Sequence, residues 1–524
     1  RAYFYYLLVD HFGAVPLRLN STQSPIGTAL AKSSISTVYE QIVTDMKTAA
    51  SLVAPISSYT YNGHVSKTAV QGILAKVFLS MAGAPLNDES KYEDAYIYAD
   101  SVIKSGFHSL NPSYQQIFIN HSQEVYDTKE NIWEIEFSGD NTGIIRAAGR
   151  VGIANGILSG GATYPGYSGG QYNVTKRQYE LYLAGDLRRD WCISNVRYAT
   201  PTGSNTSTEA PVTTTVIYDR QIGKWRRKYE KEPRAQNFNA TNFPVLRYAD
   251  VLLMYAEAYN HLYGLGDGKA YDAVNQVRRR AFGLPVNVAA PTVSVVNGIT
   301  LATAGNTGYL TSVTTLPITF TGGGGTGATG VATVASTGKD NVGYILTPGN
   351  GYTAVPSALI GTPWISNTAY TVGTQVYNGN NLYTVTTAGI STLTGPTNTS
   401  GASDAAATGA VFTYAGVKAT ATPTITTTTV DFTGYSQSNF RDLVIIPERA
   451  RELAYEGARL HDLKRWGKYV TTMTTLKTEI LAASSTTYHY AATAAGNVSA
   501  RNVLFPIPNS ELSINNLVSQ NLGW

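Results

Sequence analysis

Two helical stretches with similar apolar and charged patterns are separated by a long block that has almost no charge. The first runs from Phe243 to Asn260 and the second from Pro447 to Gly467. Between Asn287 and Thr429 the chain has only four charged residues, which are Lys339, Asp340, Asp404 and Lys418. Thr, Gly, Val and Ala dominate this block, a composition typical of strands and turns. We therefore predict a mainly α fold with an inserted all-β domain.

The first stretch is apolar on nearly every side. Leu246, Ala249 and Leu253 recur at helical spacing. A helix that is apolar all round lies inside a larger protein. Arg247 and Asp250 are three residues apart, and we expect them to pair on one face of this helix.

The second stretch begins with Pro447 at a helix-opening position and has acids at every fourth residue. These acids are Glu448, Glu452 and Glu456. Two carboxylates on one face resemble the acid/base pair of a glycoside hydrolase. However, Arg449, Arg451 and Arg459 lie within helical reach of them. A charge network that locks packed helices together is therefore the favoured interpretation.

Periodicity predicts further helices and one strand in the rest of the chain. The predicted helices cover residues 1–13, 36–52, 66–81, 92–104, 176–192 and 270–282. Residues 131–137 alternate as a strand does, whereas 138–175 read as surface loops. The helix pairs resemble tetratricopeptide-like repeats without a strict consensus. The threonine-rich residues 420–429 are predicted to be a linker.

Composition excludes several classes of protein. The chain has 524 residues, one cysteine and a net charge of +4, with only short basic runs at Lys224–Tyr229 and Arg278–Arg280. An intrachain disulfide is impossible, and nucleic-acid binding is disfavoured. The histidines lack metal-ligand spacing, so no metal is predicted. Gly325–Gly330 fits the pattern of a dinucleotide-binding motif, and Gly166–Gly170 fits that of a hydrolase nucleophile motif. Each lacks the flanking helix that its motif requires. We therefore predict no cofactor and no enzyme activity.

Aromatic residues supply the candidate ligand-binding positions. Four of them, Tyr164, Tyr167, Tyr172 and Trp191, lie in or just after the loop-rich segment. They form either a platform for a sugar ring or a peptide side chain, or a packing layer under the loops. In the insertion the same two alternatives apply to Trp364 and Tyr377, together with Tyr370 and Tyr383. A small module needs its aromatic residues inside, so a core role is favoured for most of these.

Several motifs in order resemble the RagB/SusD family. The segments that carry the resemblance are 1–17, with its Gly13-Ala-Val-Pro-Leu17 turn, 243–280, 430–466 and 504–524. The insertion has no counterpart in the usual family pattern. Residues 318–356 resemble a glycine-rich β repeat of bacterial surface and phage fibre proteins, and 364–396 resemble small β modules of the chitin-binding type. The resulting division is a SusD-like helical body of 1–286 and 430–524, with inserted modules at 287–362 and 363–429.

The resemblance implies a non-catalytic lipoprotein on the outer face of a Bacteroidetes-type outer membrane. Such a protein binds an oligosaccharide or peptide nutrient and delivers it to a SusC-like TonB-dependent transporter, whose lid it forms. The family's lipid-anchored cysteine and first helix precede the point where this sequence starts, so we expect the true N-terminus upstream. Two alternatives are a surface glycan-adhesion protein that works through the β insertion and, less favoured, a glycoside hydrolase.

Overall fold

A computed structural model describes residues 1–24, 26–139, 147–213, 216–288, 291–302, 307–403, 409–483 and 485–524. The helices are α1 (Ala2–Phe12), α2 (Ile35–Leu52), α3 (Lys67–Ala82), α4 (Lys91–Lys104), α5 (Tyr114–Gln123), α6 (Lys176–Glu180), α7 (Leu187–Cys192), α8 (Tyr248–Tyr263), α9 (Lys269–Ala281), α10 (Gln437–Phe440), α11 (Ile446–Glu452), α12 (Ala458–Arg465), α13 (Tyr469–Ala483), α14 (His489–Gly496) and α15 (Asn509–Ile514).

The strands form a few short pairs in the body, and in the insertion they form a six-stranded sheet, a three-stranded sheet and one two-stranded pair. They are β1 (Val15–Pro16), β2 (Lys32–Ser33), β3 (Asn131–Ile135), β4 (Val196–Ala199), β5 (Thr208–Pro211), β6 (Phe243–Arg247), β7 (Thr292–Leu301), β8 (Thr315–Thr321), β9 (Thr326–Val334), β10 (Asp340–Asn350), β11 (Ser357–Ile360), β12 (Ala369–Tyr370), β13 (Gln375–Asn378), β14 (Asn381–Thr387), β15 (Gly389–Ile390), β16 (Val411–Val417) and β17 (Thr420–Thr429).

The largest apolar core lies between the helices of the body. Helix α3 contacts α4, α4 contacts α8, and α8 contacts α9. Helices α3 and α8 are buried on nearly every side, as expected for helices with apolar residues all round. Gly72 lets α3 approach β6 closely, because a Cβ at this position would overlap the Leu246 side chain. The predicted helices at 1–13, 36–52, 66–81, 92–104 and 270–282 are confirmed within a residue or two.

The predicted helix from Phe243 to Asn260 is wrong over its first five residues. Phe243–Arg247 forms β6, which pairs antiparallel with β3, with Phe243 opposite Ile135. An apolar run of this length suits a strand as well as a helix, and only its partner β3 distinguishes the two. Arg247 therefore lies at the end of a strand, outside the helix that begins at Tyr248.

The second stretch is two helices instead of one. Helix α11 ends at Glu452, and α12 begins at Ala458 after a turn in which Tyr455 and Gly457 adopt positive φ angles of 65° and 81°. The Lys224 ammonium donates hydrogen bonds to the carbonyl oxygens of Glu452 and Ala454, at 3.3 and 2.7 Å. A distant lysine thus satisfies carbonyl groups that the broken helix leaves without an intrahelical partner.

The insertion contains a six-stranded antiparallel sheet and a smaller β module. The strand order in the large sheet is β10-β9-β8-β11-β17-β7. The smaller module, β12–β16, has its own core, which contains Tyr370, Val376, Tyr383, Val385 and Phe412. The prediction that 420–429 is a linker is wrong, because these residues form β17 between β11 and β7. Threonine has high strand propensity, which the linker interpretation neglected.

The base of the large sheet is docked on the helical body. Thr292 pairs with Thr429, and the Val430 N–H donates to the Pro291 carbonyl at 3.1 Å, so both ends of the insertion leave the body side by side.

Residues 176–192 form α6 and α7 instead of one helix. Gly185, in the turn between them, has φ of 88°, and a Cβ there would lie 3.0 Å from the Val295 side chain.

We expect the smaller β module to be separable from the rest of the chain. Ala358 and Leu359 of β11 pair directly with Ala421 and Thr420 of β17. Replacing residues 361–418 with Asn-Gly would therefore join the two strands as a hairpin. The variant should unfold cooperatively with the helix content of the parent, measured by circular dichroism during heating. Loss of the cooperative transition would show that the sheet depends on the smaller module.

Candidate functional site

A cleft of about 440 Å³ lies between the helical body and the large inserted sheet. We call it the body–sheet cleft. Its body wall includes Trp191, Asn195, Arg226 and Tyr229, and its sheet wall includes residues 346–350. The Asn195 side-chain amide donates to the Leu346 carbonyl at 3.1 Å, which connects the two walls. This volume is in the range of small-molecule binding sites.

Aromatic rings form much of the body wall of the cleft. Trp191 and Tyr229 have ring centroids 5.9 Å apart at an interplanar angle of 36°. Trp191 is 3% exposed, and its indole Nε1 has no hydrogen-bond acceptor within the described residues. Tyr229 is half-buried. Such rings provide flat apolar faces with polar edges, which suit a ligand that is itself partly apolar and partly polar.

Local hydrogen bonding fixes the two segments that carry these rings. Asp186 caps the N-terminus of helix α7, and its carboxylate accepts from the Arg188 N–H at 3.1 Å. Just after Trp191, the chain pairs with a second segment. The Gly223 N–H donates to the Cys192 carbonyl at 2.8 Å, and the Ser194 N–H donates to the Gln221 carbonyl at 2.9 Å. Trp191 and Tyr229 therefore lie on chain segments joined by backbone hydrogen bonds.

The structure separates the four aromatic residues predicted from the loop-rich segment. Trp191 lines the body–sheet cleft. Tyr164 is exposed and meets Tyr198 of the β4–β5 hairpin edge to face, with ring centroids 6.5 Å apart. Tyr167 is half-buried, with its carbonyl accepting a hydrogen bond from Arg227, and Tyr172 is exposed. Their role in ligand binding stays a prediction.

The predicted aromatic residues of the insertion lie in or against the smaller module. Trp364 packs partly buried against its core, and its Nε1 has no acceptor within the described residues. The Lys418 ammonium lies 4.5 Å from the centroid of the half-buried Tyr377 ring. Tyr370 and Tyr383 are buried, which confirms the expected core role for these two. A ligand-binding role for Trp364 and Tyr377 stays a prediction.

Sequence analysis missed Arg226 and Tyr229. Both belong to the short basic run Lys224–Tyr229, which was considered only as a sign of nucleic-acid binding. The alternation of basic and aromatic residues in that run was the available signal. Within the run, Trp225 is buried against Phe118 and Phe243, so the segment is anchored inside the body.

A buried network of arginines and carboxylates lies behind the cleft. Glu452 accepts hydrogen bonds from Arg188, Arg247 and Arg280, at 3.0, 3.0 and 2.6 Å. Further members pair around it, and they are Glu130, Asp186, Lys224, Arg278, Glu448 and Glu456. These contacts join α7, α9, β6 and α11.

The predicted charge network is confirmed, but one predicted pair is wrong. Arg247 pairs with carboxylates of the network, whereas Asp250 pairs with Lys76 and Arg449, at 2.9 and 2.6 Å. The two residues separate because Arg247 ends a strand and Asp250 begins a helix. Glu448 and Glu452 are fully buried, and both are bound to arginines. They therefore cannot act as a hydrolase acid/base pair on a sugar, which must reach both carboxylates.

The network predicts a loss of stability in acid. Burial alone would raise the pKa of Glu452, but Arg280, Arg247 and Arg188 outweigh it and lower the pKa to about 2. Burial alone would also raise the pKa of Glu448, but the neighbouring arginines outweigh it and lower that pKa. For Glu130 burial prevails and raises the pKa. A lowered native pKa stabilises the fold above the unfolded pKa, and this stabilisation is lost below it.

We therefore expect the free energy of unfolding to fall as the pH drops from about 4.5 towards about 2. Urea titrations at a series of pH values measure this change. Glu130 contributes in the opposite direction, so the expected net loss rests on Glu448, Glu452 and Glu456 together. A free energy of unfolding that stays constant or rises over this range would contradict the network.

Two other predictions concern motifs and histidines. The dinucleotide-type motif, Gly325–Gly330, runs into strand β9, so it lacks the helix that such a motif requires. In the hydrolase-type motif the Ser168 hydroxyl is buried and donates to the Ile153 carbonyl, and this motif also lacks the helix it requires. Three possible metal ligands, Asp10, His11 and His461, lie close together. His461 already bonds Asp10 at 2.5 Å, and the Lys464 ammonium lies 3.4 Å from the same carboxylate oxygen. These contacts join α1 to α12, which supports a structural role for His461.

Comparison with known proteins identifies the family. Residues 166–307 and 414–524 match the description "SusD family", and residues 1–79 match "Starch-binding associating with outer membrane". Together the matches cover more than half of the chain on both sides of the insertion. The chain belongs to the SusD/RagB family. The SusD match extends into β7 and β17, so the unmatched part of the insertion, 308–413, is narrower than the predicted 287–429.

Solved structures confirm a SusD-like fold. A SusD homologue from Bacteroides thetaiotaomicron superposes with a TM-score of 0.66 at 22% identity, covering 100% of this chain and 77% of that one. A laminarin-binding SusD-like protein superposes with a TM-score of 0.51 at 17% identity, with the same coverage of each chain. These similarities confirm a SusD-like fold with helices and a β-rich region.

A curated relative matches at the level of sequence. SusD-like protein P2 of Formosa agariphila is 26% identical over 289 residues, which are 54% of this chain and 54% of that protein. The chain thus spans about half the length of this relative. Among the helices described for this SusD/RagB protein, none has the length and apolar character needed to cross a membrane.

Proposed function

We propose that this SusD/RagB protein binds carbohydrate at a bacterial cell surface and that the body–sheet cleft holds the sugar. The observation that carries the proposal is the aromatic wall of this cleft within a SusD-like fold. Two comparisons support it: a family description that refers to starch binding and the outer membrane, and a neighbour described as laminarin-binding.

The chemistry of the cleft suits a sugar. Sugar rings present an apolar face of C–H groups and a rim of hydroxyls, so they need both aromatic and hydrogen-bonding groups. The half-buried Tyr229 supplies an aromatic face, and the buried Trp191 packs beside it in the same wall. Gln115 and Asn350 add polar side chains at the walls. A peptide nutrient is the second ligand class that such a cleft can accept.

The finer proposal concerns the partner and the location. We propose that the protein works on the extracellular face of the outer membrane, held there by a lipid anchor. It would form the lid of a SusC-like TonB-dependent transporter and deliver the ligand to it, without a cofactor and without catalysis. Family membership supports this proposal.

We also propose a division of labour within the chain. The helical body, 1–286 and 430–524, would provide tetratricopeptide-like helix pairs as a scaffold, for example α3 with α4. The predicted modules at 287–362 and 363–429 would project from it, with 420–429 reassigned to the large sheet because β17 pairs with β7. The smaller module would act as a peripheral glycan-binding or spacing element.

The alternative function is glycan adhesion through the smaller module. Its supporting observations are the partly buried Trp364 ring and the half-buried Tyr377 ring beside Lys418. Affinity electrophoresis through gels containing single polysaccharides separates the two functions. The intact chain and the variant with 361–418 replaced by Asn-Gly should be retarded equally if the cleft binds. Retardation lost with the deletion would favour adhesion.

A further inference from the structure

Arg226 is the exception among the buried arginines of this protein. Every other arginine that the described residues bury forms an ion pair with a carboxylate, as Arg227 does with Glu230 and Arg465 with Glu257. Arg226 is 8% exposed and has no such pair with any described residue. A buried charge without a counter-ion is costly, so this arrangement calls for an explanation.

Part of the Arg226 guanidinium is satisfied by the protein itself. Its Nε donates to the Gly223 carbonyl at 3.0 Å, and its Nη2 donates to the carbonyls of Asp190 and Trp191, at 2.9 and 3.3 Å. The guanidinium carbon lies 4.3 Å from the Trp191 ring centroid. These contacts orient the guanidinium, but they are neutral and leave its charge uncompensated. Its Nη1 makes no hydrogen bond within the described chain and is not among the enclosed atoms there.

Two acids could compensate Arg226, namely Glu209, which acts on its charge, and Asp190, which lines the same cleft, but both are paired with other cations. Glu209 pairs with Lys228 at 2.8 Å and accepts from the Tyr198 hydroxyl at 3.1 Å. The Asp190 carboxylate pairs with Arg189 at 2.9 Å. Burial lowers the pKa of Arg226, and the nearby tyrosines and Glu209 only partly oppose this. An anion that enters the cleft would therefore pair with the Arg226 Nη1 without competition from a carboxylate of the described chain.

We propose that the body–sheet cleft is specific for acidic oligosaccharides and that Arg226 binds their carboxylate or sulfate group. The proposal rests on the proposed function, since it names the class of sugar that the cleft takes. Arginine presents a planar fork of donors that matches both anions. Tyr229, which lines the same wall, would stack on the sugar ring beside that group.

The test compares acidic polysaccharides with their neutral counterparts by affinity electrophoresis. Polygalacturonate is run beside its carboxyl-reduced form, and a sulfated galactan beside its desulfated form. The intact protein should bind at least one acidic polymer roughly tenfold to a hundredfold more tightly than its neutral partner, the range expected for one charged hydrogen-bonding group. Added salt should weaken only the acidic interaction. The two pairs of polymers distinguish a carboxylate ligand from a sulfate ligand.

Variants connect this preference to one residue. Arg226→Gln should remove the preference for the acidic polymer, whereas Arg226→Lys should retain part of it because the charge remains. The matched control is Arg197→Gln, which removes the same charge from the exposed face of β4. The neighbouring Tyr198 lies on the other face of that strand. This control should bind like the parent. A melting curve for each variant verifies that it is folded, and the salt dependence of the intact protein tests the proposal without any substitution.

The outcomes separate the two proposals. Equal binding of acidic and neutral polymers, sensitive to Tyr229→Ala but not to Arg226→Gln, would overturn the anion specificity and leave the cleft as a sugar site. If no polymer bound, or if neither Tyr229→Ala nor Arg226→Gln changed the binding, the proposed function of the cleft would itself be overturned. Loss of preference in Arg197→Gln as well would show a general charge effect and would also overturn the role of Arg226.

Discussion

Glu452→Gln is expected to lower the free energy of unfolding by about 3–5 kcal/mol, the cost typical of leaving buried charges without a partner. Glu452 is 0% exposed, and its carboxylate contacts three arginines, Arg188, Arg247 and Arg280. Glutamine keeps the size and one acceptor oxygen but removes the negative charge. Three buried cations would then share fewer carboxylates in a region that excludes water.

Urea unfolding followed by circular dichroism measures this effect, and the chain supplies a matched control. Glu180 pairs with Lys176 at 2.6 Å at the surface, where its side chain is 54% exposed. Glu180→Gln makes the same chemical change and should cost about 0.3–0.5 kcal/mol. If Glu452→Gln also cost only this much, the network would not be what holds α7, α9, β6 and α11 together.

Tyr229→Ala is expected to weaken oligosaccharide binding by about 2 kcal/mol or more, roughly a thirtyfold change in affinity. The half-buried ring is one of three aromatic rings on the body wall of the body–sheet cleft, and the other two, Trp191 and Phe282, are buried. Tyr229→Phe keeps the face and should retain most of the affinity. The polymer that retards the protein in electrophoresis supplies the ligand, as an oligosaccharide of the same sugar. Isothermal titration calorimetry with it measures the affinities of the parent and of both variants.

The control for this second prediction is Tyr490→Ala on α14, where the residue is 69% exposed and does not line the cleft. It should leave the affinity within about twofold of the parent. An affinity of Tyr229→Ala equal to that of Tyr490→Ala would move the sugar site away from the cleft.

Much of the architecture was predictable because local patterns encode it. Apolar periodicity predicts helices α3, α4 and α9, and the change in composition at residue 287 predicts the β-rich insertion. Errors arose where the outcome depends on a distant partner. Phe243–Arg247 forms a strand because β3 lies beside it, and α11 ends where Lys224 can bind its carbonyls.

The candidate site was predictable only in part for the same reason. For Trp191 the sequence left open a platform with Tyr164 or packing under the loops. In the structure it is buried in the wall of a cleft whose other wall lies more than a hundred residues away in sequence. At Gly185, which lines the cleft, a Cβ would crowd the Val295 side chain of the sheet, so glycine permits the close approach there. The interest of Arg226 lies in the absence of a paired acid among the described residues, a property that spacing along the chain does not reveal.

The most direct test of the central proposal is hydrogen–deuterium exchange with and without the oligosaccharide that binds. If the body–sheet cleft holds the sugar, slower exchange should be confined to peptides that contain its lining residues, which lie at 115, 185–195, 226–229, 282–293, 326–327 and 346–350. Slower exchange within 363–418 instead would place the sugar on the smaller module, and the cleft would then not be the binding site.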